Sequence, residues 1–263
     1  MAPPENSTRS SLDYSGIVED LNRYLRLRTN PVGMKRFRTV AELEAVPKLR
    51  RPPAKVTLDQ LVGQSRLMGL TLGVTADELA GAQCAVPVGL MPRGKDWLNS
   101  DLMAGVWFET PADAAAHQQA MDCGPEGYAG LAVSPLSAGR LDPPDVVLVY
   151  ATPAQMILFI NGLQYSGYRK LTFTVVGESA CADSWGRALA TGEPSLSLPC
   201  YAERAFGGVA EDELLMALPP GFLPKVVAGL AALSRNGLRY PIPPLGPQAD
   251  PMPILKRSYG DRF

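Results

Sequence analysis

The sequence predicts an α/β fold, with a mostly parallel sheet, helices on both faces of that sheet and an irregular proline-rich tail. Apolar residues make up 46% of the 263 positions, which is enough to bury one large core. Strand-like and helix-like segments alternate in the second half of the chain, an order typical of parallel sheets. The strand-like runs are almost continuously apolar, as expected when both faces of a sheet are covered.

One α/β domain is expected over residues 15–238. We interpret residues 1–14 as a disordered or extended arm, because residues 1–11 are polar and lack the apolar run of a signal peptide. Residues 239–263 contain six prolines, which predicts a tail without regular structure. The apolar residues of the tail favour contact with a surface, such as that of a neighbouring subunit in a homo-oligomer, and disorder is the alternative.

In the first half, a helix is predicted near residues 17–27 and a strand at Val32–Phe37. Helix starts are indicated at four threonines, each followed three residues later by Gln, Glu or Asp: Thr57, Thr75, Thr110 and Thr152. The threonine hydroxyl accepts a hydrogen bond from a free backbone N–H of the first turn. The later side chain returns the bond or favours the positive end of the helix.

The second half shows the clearest alternation of elements. Strands are predicted at 146–151, 171–176, 195–198 and 213–218, and helices at 153–165, 180–190 and 223–234. Consecutive parallel strands joined by such helices would place their carboxyl ends at one edge of the sheet, where open α/β sheets bind ligands.

Composition excludes several classes of function. The 25 basic and 26 acidic residues give a net charge of −1, so no large positive field is available to hold nucleic acid. The longest apolar segment, 154–163, is too short to span a bilayer, which needs about 20 residues, so no membrane association is expected. A single histidine excludes multi-histidine metal sites, and no metal ligands are assigned. The glycine-rich nucleotide-binding loops are absent as well.

Four widely spaced cysteines indicate reduced thiols and a cytoplasmic location: Cys84, Cys123, Cys181 and Cys200. Cys181 falls in the first turn of a predicted helix, where free N–H groups would lower the pKa of its thiol. Cys200 follows the next predicted strand. If both strand exits open onto one edge of the sheet, the two thiols share a cleft.

We predict catalytic roles in this cleft for Cys181, Glu178 and Cys200, in proton transfer or nucleophilic attack. The predicted substrate-binding residues are Arg204, which would anchor an anion, with Tyr201, Trp185 and Asp183. The structural alternatives stay open, because cysteine often packs as a small hydrophobe and arginine often forms a structural ion pair.

An ordered series of segments resembles the uncharacterised prokaryotic family named domain of unknown function 169. The series comprises NPVGMK at 30–35, Cys84, DVVLV at 145–149, CAD at 181–183, LPCYAER at 198–204 and DEL at 212–214. The resemblance covers residues 17–235 and implies a cytoplasmic protein with cysteines at definite places, without a settled activity. Family members often carry a further cysteine where this chain has VGQS at 62–65, which weakens the case for a shared iron–sulfur cluster.

Three functions follow as hypotheses. The first is a metabolic enzyme, of lyase or isomerase type, that acts on an aromatic or carboxylated small molecule. The second is a cysteine-ligated metal, iron–sulfur or haem protein with a redox role. The third is a small-molecule binding module without chemistry. The sequence leaves the cofactor unknown.

Overall fold

A computed structural model describes residues 12–81 and 83–262. The first eleven residues of the expected N-terminal arm therefore lie outside the described residues. The first helix begins at Tyr14, the last residue of the expected arm, and the Asp13 carboxylate caps it by accepting a hydrogen bond from the backbone N–H of Gly16 at 3.0 Å.

One six-stranded sheet lies at the centre of the described chain. Its strands are β1 (Val32–Phe37), β2 (Leu72–Val74), β3 (Gly130–Pro135), β4 (Val146–Ala151), β5 (Ser195–Ser197) and β6 (Leu214–Leu218). The order across the sheet is β2-β3-β1-β4-β6-β5. Every neighbouring pair is antiparallel, as in the register that joins Val149 to Met216.

The predicted mostly parallel sheet is therefore wrong. A continuous apolar run shows that a strand is buried on both faces, but it does not show in which direction the neighbouring strand runs. Residues 171–176, predicted as a strand, form no strand in the structure. The backbone N–H of Val176 instead donates to the Asp183 carboxylate at 2.8 Å. β4 and β5 are separated by the antiparallel strand β6, so no two neighbouring strands of the sheet are parallel.

Helices and loops cover both faces of the sheet, as predicted. The α-helices are α1 (Tyr14–Leu25), α2 (Val40–Glu44), α3 (Leu58–Met68), α4 (Lys95–Leu98), α5 (Pro111–Ala120), α6 (Pro153–Gln164), α7 (Arg187–Thr191), α8 (Tyr201–Ala205), α9 (Leu223–Arg235) and α10 (Met252–Tyr259). The first, sixth and ninth helices pack on one face, which we call the helical face. The third helix and a layer of loops cover the other, which we call the cleft face.

Three of the four predicted helix starts are confirmed. Thr57, Thr110 and Thr152 each accept a hydrogen bond from a first-turn N–H of α3, α5 and α6. Thr75 precedes only a short 3-10 turn. The backbone after Thr75 pairs with Val56 instead, because the N–H of Val56 donates to Glu78 and its carbonyl accepts from Ala80. The predicted helix at 180–190 is divided into a π-helical turn and α7.

The tail was predicted to lack regular structure, and this prediction is wrong for its last part, which forms α10. Pro251 is the N-cap of this helix and Pro253 lies in its first turn. Proline is tolerated there because the first-turn N–H groups have no partner within a helix. Within the described residues, no helix is both long enough and apolar enough to cross a membrane.

Candidate active site

A cleft of about 250 Å³ opens on the cleft face, beside the start of α3 and the start of α8. We call it the cysteine cleft. Its lining consists of Thr57, Leu58, Asp59, Ala80, Gly81, Gln83, Cys84, Leu102, Met103, Glu178, Ser179, Cys200, Ala202 and Phe206. The cleft is mostly apolar, and the described residues that line it include no Lys, Arg or His. It therefore suits a small molecule that carries no negative charge.

The third helix forms one wall of the cleft because two glycines let it approach the chain after α8. A Cβ atom at Gly63 would lie only 2.6 Å from the carbonyl oxygen of Gly207. The capping box of Thr57 and Gln60 fixes where this helix begins. Asp59 is therefore held in the first turn, next to the cleft.

The carboxyl group of Asp59 is the most unusual group in the lining. The residue is only 4% exposed, and its Oδ1 atom has no hydrogen-bond partner among the described residues. Burial raises the pKa of Asp59 to about 6, and the charge of Glu178 adds to the effect. Hydrogen bonds from its own backbone and from Thr57 oppose this shift. Asp59 can therefore gain and lose a proton near neutral pH.

Cys84 and Cys181 form a thiol pair, in which the two Sγ atoms lie 3.2 Å apart. Either thiol can donate the hydrogen bond. Cys84 lines the cleft, whereas Cys181 lies behind it and is 1% exposed. The Cys181 thiol also contacts the carbonyl oxygen of Ser179 at 3.4 Å.

The expected lowering of the Cys181 pKa is wrong. The hydrogen bond to Cys84 and then burial raise the pKa of Cys181 well above its usual value. The pKa of Cys84 is also raised. The bond with Cys181 lowers it, but burial and the charges of Asp59, Glu203 and Glu178 outweigh that bond. The π-helical turn after Cys181 does not provide the helix N-terminus that the prediction required.

Cys200 is the N-cap of α8 and also lines the cleft. Its backbone N–H donates to the Glu203 carboxylate at 3.0 Å. Burial and then the charge of Glu203 raise the pKa of the Cys200 thiol. The thiol is therefore protonated at neutral pH, where it can donate a hydrogen bond but does not attack as a thiolate.

Glu203 is a second buried carboxyl group close to the cleft. It is 1% exposed, and the hydroxyl of Tyr150 donates to it at 3.2 Å. Burial and then the charge of Asp59 raise the pKa of Glu203 to about 7. The guanidinium group of Arg66 lies 4.3 Å from the centre of the Tyr150 ring and pairs with Glu213 at 2.9 Å. Arg66 is therefore already neutralised.

Glu178 lines the cleft from the loop between α6 and the π-helical turn. Its carbonyl oxygen lies 2.8 Å from Nε2 of His117, the single histidine of the chain. His117 is buried and its ring lies 4.8 Å from that of Phe108. The histidine thus connects α5 to the segment that carries Glu178.

The structure thus brings Glu178 and Cys200 into one cleft, with Cys181 directly behind it. The predicted catalytic residues converge even though the sheet is not parallel. β4 and β5 still run in the same direction, because each is antiparallel to the strand between them. The catalytic role of these residues remains a prediction.

The four predicted substrate-binding residues lie outside the described lining of the cleft. Trp185 is fully buried, and Asp183 accepts hydrogen bonds from Thr174 and Val176. Arg204 donates to the backbone carbonyls of Pro199 and Ala210. Tyr201 is exposed, and its ring lies 5.5 Å from that of Trp107. The contacts of these residues with a substrate remain predictions.

Asp59 and Glu203 were not predicted as site residues. Asp59 lies inside the sequence that marks the start of α3, where an acidic residue is explained by the helix dipole alone. Glu203 lies three residues after Cys200, within the LPCYAER segment at 198–204, and no catalytic or binding role was predicted for it. Only the fold shows that both side chains are buried together.

The described residues contain no group of three or more His, Cys, Asp or Glu side chains arranged to hold a metal ion. The metal, iron–sulfur and haem alternative remains a prediction.

Comparison with known proteins identifies a family. The model of domain of unknown function 169, described as "Uncharacterised ArCR", matches residues 20–229. No curated protein and no solved structure matches this chain.

Proposed function

This chain belongs to the family of domain of unknown function 169, and from that premise we propose that it is an enzyme performing acid–base chemistry in the cysteine cleft. The reaction is of isomerase or lyase type. The observation that carries the proposal is the Asp59 carboxyl group, which is buried, borders a cleft and has a pKa of about 6. A group that titrates near the working pH is suited to proton transfer.

Carboxyl groups and protonated thiols border the cleft, and they can take different roles in the reaction. Asp59, once ionised, removes a proton from the substrate. The protonated Asp59, whose pKa is about 6, then returns a proton to the substrate, and the protonated Cys200 thiol can donate a hydrogen bond to it. Cys84 is a second protonated thiol in the lining. This pair of roles needs no redox cofactor, because one proton is removed and one is returned.

The lining also limits the substrate. Asp59 and Glu178 make the cleft acidic, and the described lining offers no cation to balance a carboxylate. Phe206 and Met103 supply apolar walls. We therefore infer a neutral or positively charged substrate with an apolar or aromatic part. The charge balance favours this class over a carboxylated molecule. We place the reaction in the cytoplasm, where thiols stay reduced.

The test combines ligand binding with isotope exchange. Neutral and amine-bearing aromatic compounds are screened against the protein by ligand-observed NMR, and the hits are incubated in deuterium oxide. We expect solvent deuterium at one carbon position of a hit with the wild-type protein. Asp59→Asn should abolish this exchange and keep binding. Asp77→Asn is the control, because Asp77 is exposed and lies outside the lining. This variant should catalyse deuterium exchange as the wild-type protein does.

Two results would contradict the proposal. Equal exchange by Asp59→Asn would remove Asp59 as the acid–base group. Binding without exchange or product in the wild-type protein would instead favour the binding module.

A further inference from the structure

A second concavity lies on the helical face, between the end of α1, the end of α9 and the tail. Its volume is about 560 Å³, and four arginines line it: Arg23, Arg26, Arg239 and Arg257. We call it the arginine groove. Two aromatic side chains, Tyr24 and Tyr240, border it as well. The described residues that line the groove include no Asp or Glu.

The fold brings these arginines together from three distant segments. Arg23 lies in the last turn of α1, and Arg26 is its C-cap. The carbonyl oxygen of Arg26 is held by the buried side-chain amide of Gln155 at 3.0 Å. Gly237, with a φ of 82°, ends α9 and leads the chain toward Arg239. The tail helix α10 adds Arg257.

The charges of the groove are largely uncompensated. Arg23 pairs with Asp20 at 2.9 Å. In the part of the chain that the structure describes, Arg26, Arg239 and Arg257 form no ion pair, although the whole chain carries a net charge of −1. Like charges that line one concavity repel each other, and an anionic ligand relieves this repulsion.

We propose that the arginine groove binds a phosphorylated small molecule. The guanidinium group is planar and offers paired N–H donors that match two phosphate oxygens, and several arginines suit a ligand with more than one negative charge. The tyrosine rings can contact an organic part of the ligand, or stack on a base. A chain without a net positive charge is a poor match for an extended nucleic acid, so the groove is assigned to a small ligand.

This inference is independent of the cysteine cleft. The cleft borders α3 and α8 on one face of the sheet, whereas the groove borders α1 and α9 on the other. Loss of phosphate binding would therefore leave the isotope exchange of the cleft in place, and the two proposals can fail separately.

Isothermal titration calorimetry of the full chain tests the groove, with pyrophosphate, ATP and adenosine as probes. We expect ATP and pyrophosphate to bind, adenosine alone not to bind, and binding of both anions to weaken with added salt. The double variant Arg26→Gln/Arg239→Gln should weaken ATP binding by about tenfold or more, because two charged hydrogen-bond donors are lost. Arg235→Gln, at the end of α9 but outside the groove lining, is the matched control and should bind like wild type.

Three outcomes would overturn the proposal. The first is no heat of binding with either phosphate probe at millimolar concentration. The second is an equal loss of affinity in Arg235→Gln, which would indicate non-specific attraction. The third is tighter binding of a single-stranded oligonucleotide or of anionic lipid vesicles than of ATP. Thermal unfolding of each variant confirms that the exposed substitutions leave the fold intact.

Discussion

The Sγ atoms of Cys84 and Cys181 lie 3.2 Å apart, although 97 positions separate these residues in the sequence. A disulfide bond needs an S–S distance of about 2.05 Å, so a small approach is enough to form one. The two thiols are free in the structure. The fold alone therefore sets up a dithiol at the inner wall of the cysteine cleft.

We expect diamide to oxidise this pair to a disulfide. Each thiol loses a proton and an electron, and the diazene is reduced to the hydrazine. Peptide mapping by mass spectrometry should show the peptides of Cys84 and Cys181 linked. Cys123→Ser should form the same link, whereas Cys181→Ser should not. Absence of the link in wild-type protein, while the unfolded chain reacts, would show that the thiols cannot approach.

Stability should depend on pH through the two buried carboxyl groups. The pKa values of Asp59 and Glu203 are raised to about 6 and about 7. The folded state therefore binds more protons than the unfolded state over this range, and the free energy of unfolding falls as the pH rises from about 4 to about 7. Asp59 accounts for about 3 kcal/mol of this fall in the free energy of unfolding, because its pKa is raised by about two units.

The variant Asp59→Asn tests how much Asp59 contributes to this pH dependence. The variant should lose less stability than wild type between about pH 4 and about pH 7 in urea denaturation, because one of the two raised groups no longer titrates. It should also lower the pKa of Glu203, since the charge of Asp59 contributes to that shift. Asp77→Asn should keep the wild-type pH dependence. Identical pH dependence in all three proteins would show that Asp59 is not a buried acid.

The buried ion pair of Arg66 and Glu213 should be costly to break. Their side chains are 1% and 3% exposed, so Glu213→Gln leaves a buried charge without its partner. We expect a loss of about 3–5 kcal/mol in the free energy of unfolding. The adjacent Asp212 forms an exposed pair with Arg28, and Asp212→Asn should cost much less stability, because water screens that pair. Urea denaturation measures the free energy of unfolding of both variants. An equal loss in the two would contradict the argument that burial makes the Arg66–Glu213 pair costly to break.

Gly63→Ala should open the contact between α3 and the chain after α8. The new Cβ would lie 2.6 Å from the carbonyl oxygen of Gly207, and backbone cannot yield as a flexible side chain does. We expect a loss of about 1–3 kcal/mol, against the gain of about 1 kcal/mol that alanine normally brings to a helix. Gly94→Ala, which meets no atom within 4 Å, is the control for thermal unfolding. A stabilised Gly63→Ala protein would contradict the close contact.

Local patterns predicted much of the fold. β1 and β4 match their predicted bounds, and α6 and α9 match to within one residue, because apolar periodicity and capping residues act within a few positions. The direction of the strands was predicted wrongly, because pairing depends on contacts between distant segments. Residues 171–176 have the composition of a strand but find no partner strand.

The candidate site was predicted only in part, because local sequence patterns do not show which distant segments pack together. The segment around Glu178 and the loop after Cys200 were singled out by their side chains, and they meet in one cleft. The sequence could not show that Asp59 and Glu203 are buried near each other, since a raised pKa arises from tertiary burial. It also could not show that the guanidinium group of Arg204 is occupied by backbone carbonyls.

The alternation along β4 has a consequence for how this chain can change over evolution. Leu148 and Tyr150 face the cysteines, whereas Val147, Val149 and Ala151 face the helices on the other side. A single inserted or deleted residue would reverse these directions and send the hydroxyl of Tyr150 into a dry apolar layer. The length of β4 is therefore fixed. Because all of its residues are buried, only apolar substitutions of similar volume are tolerated, so descendants should keep the number of residues in this strand.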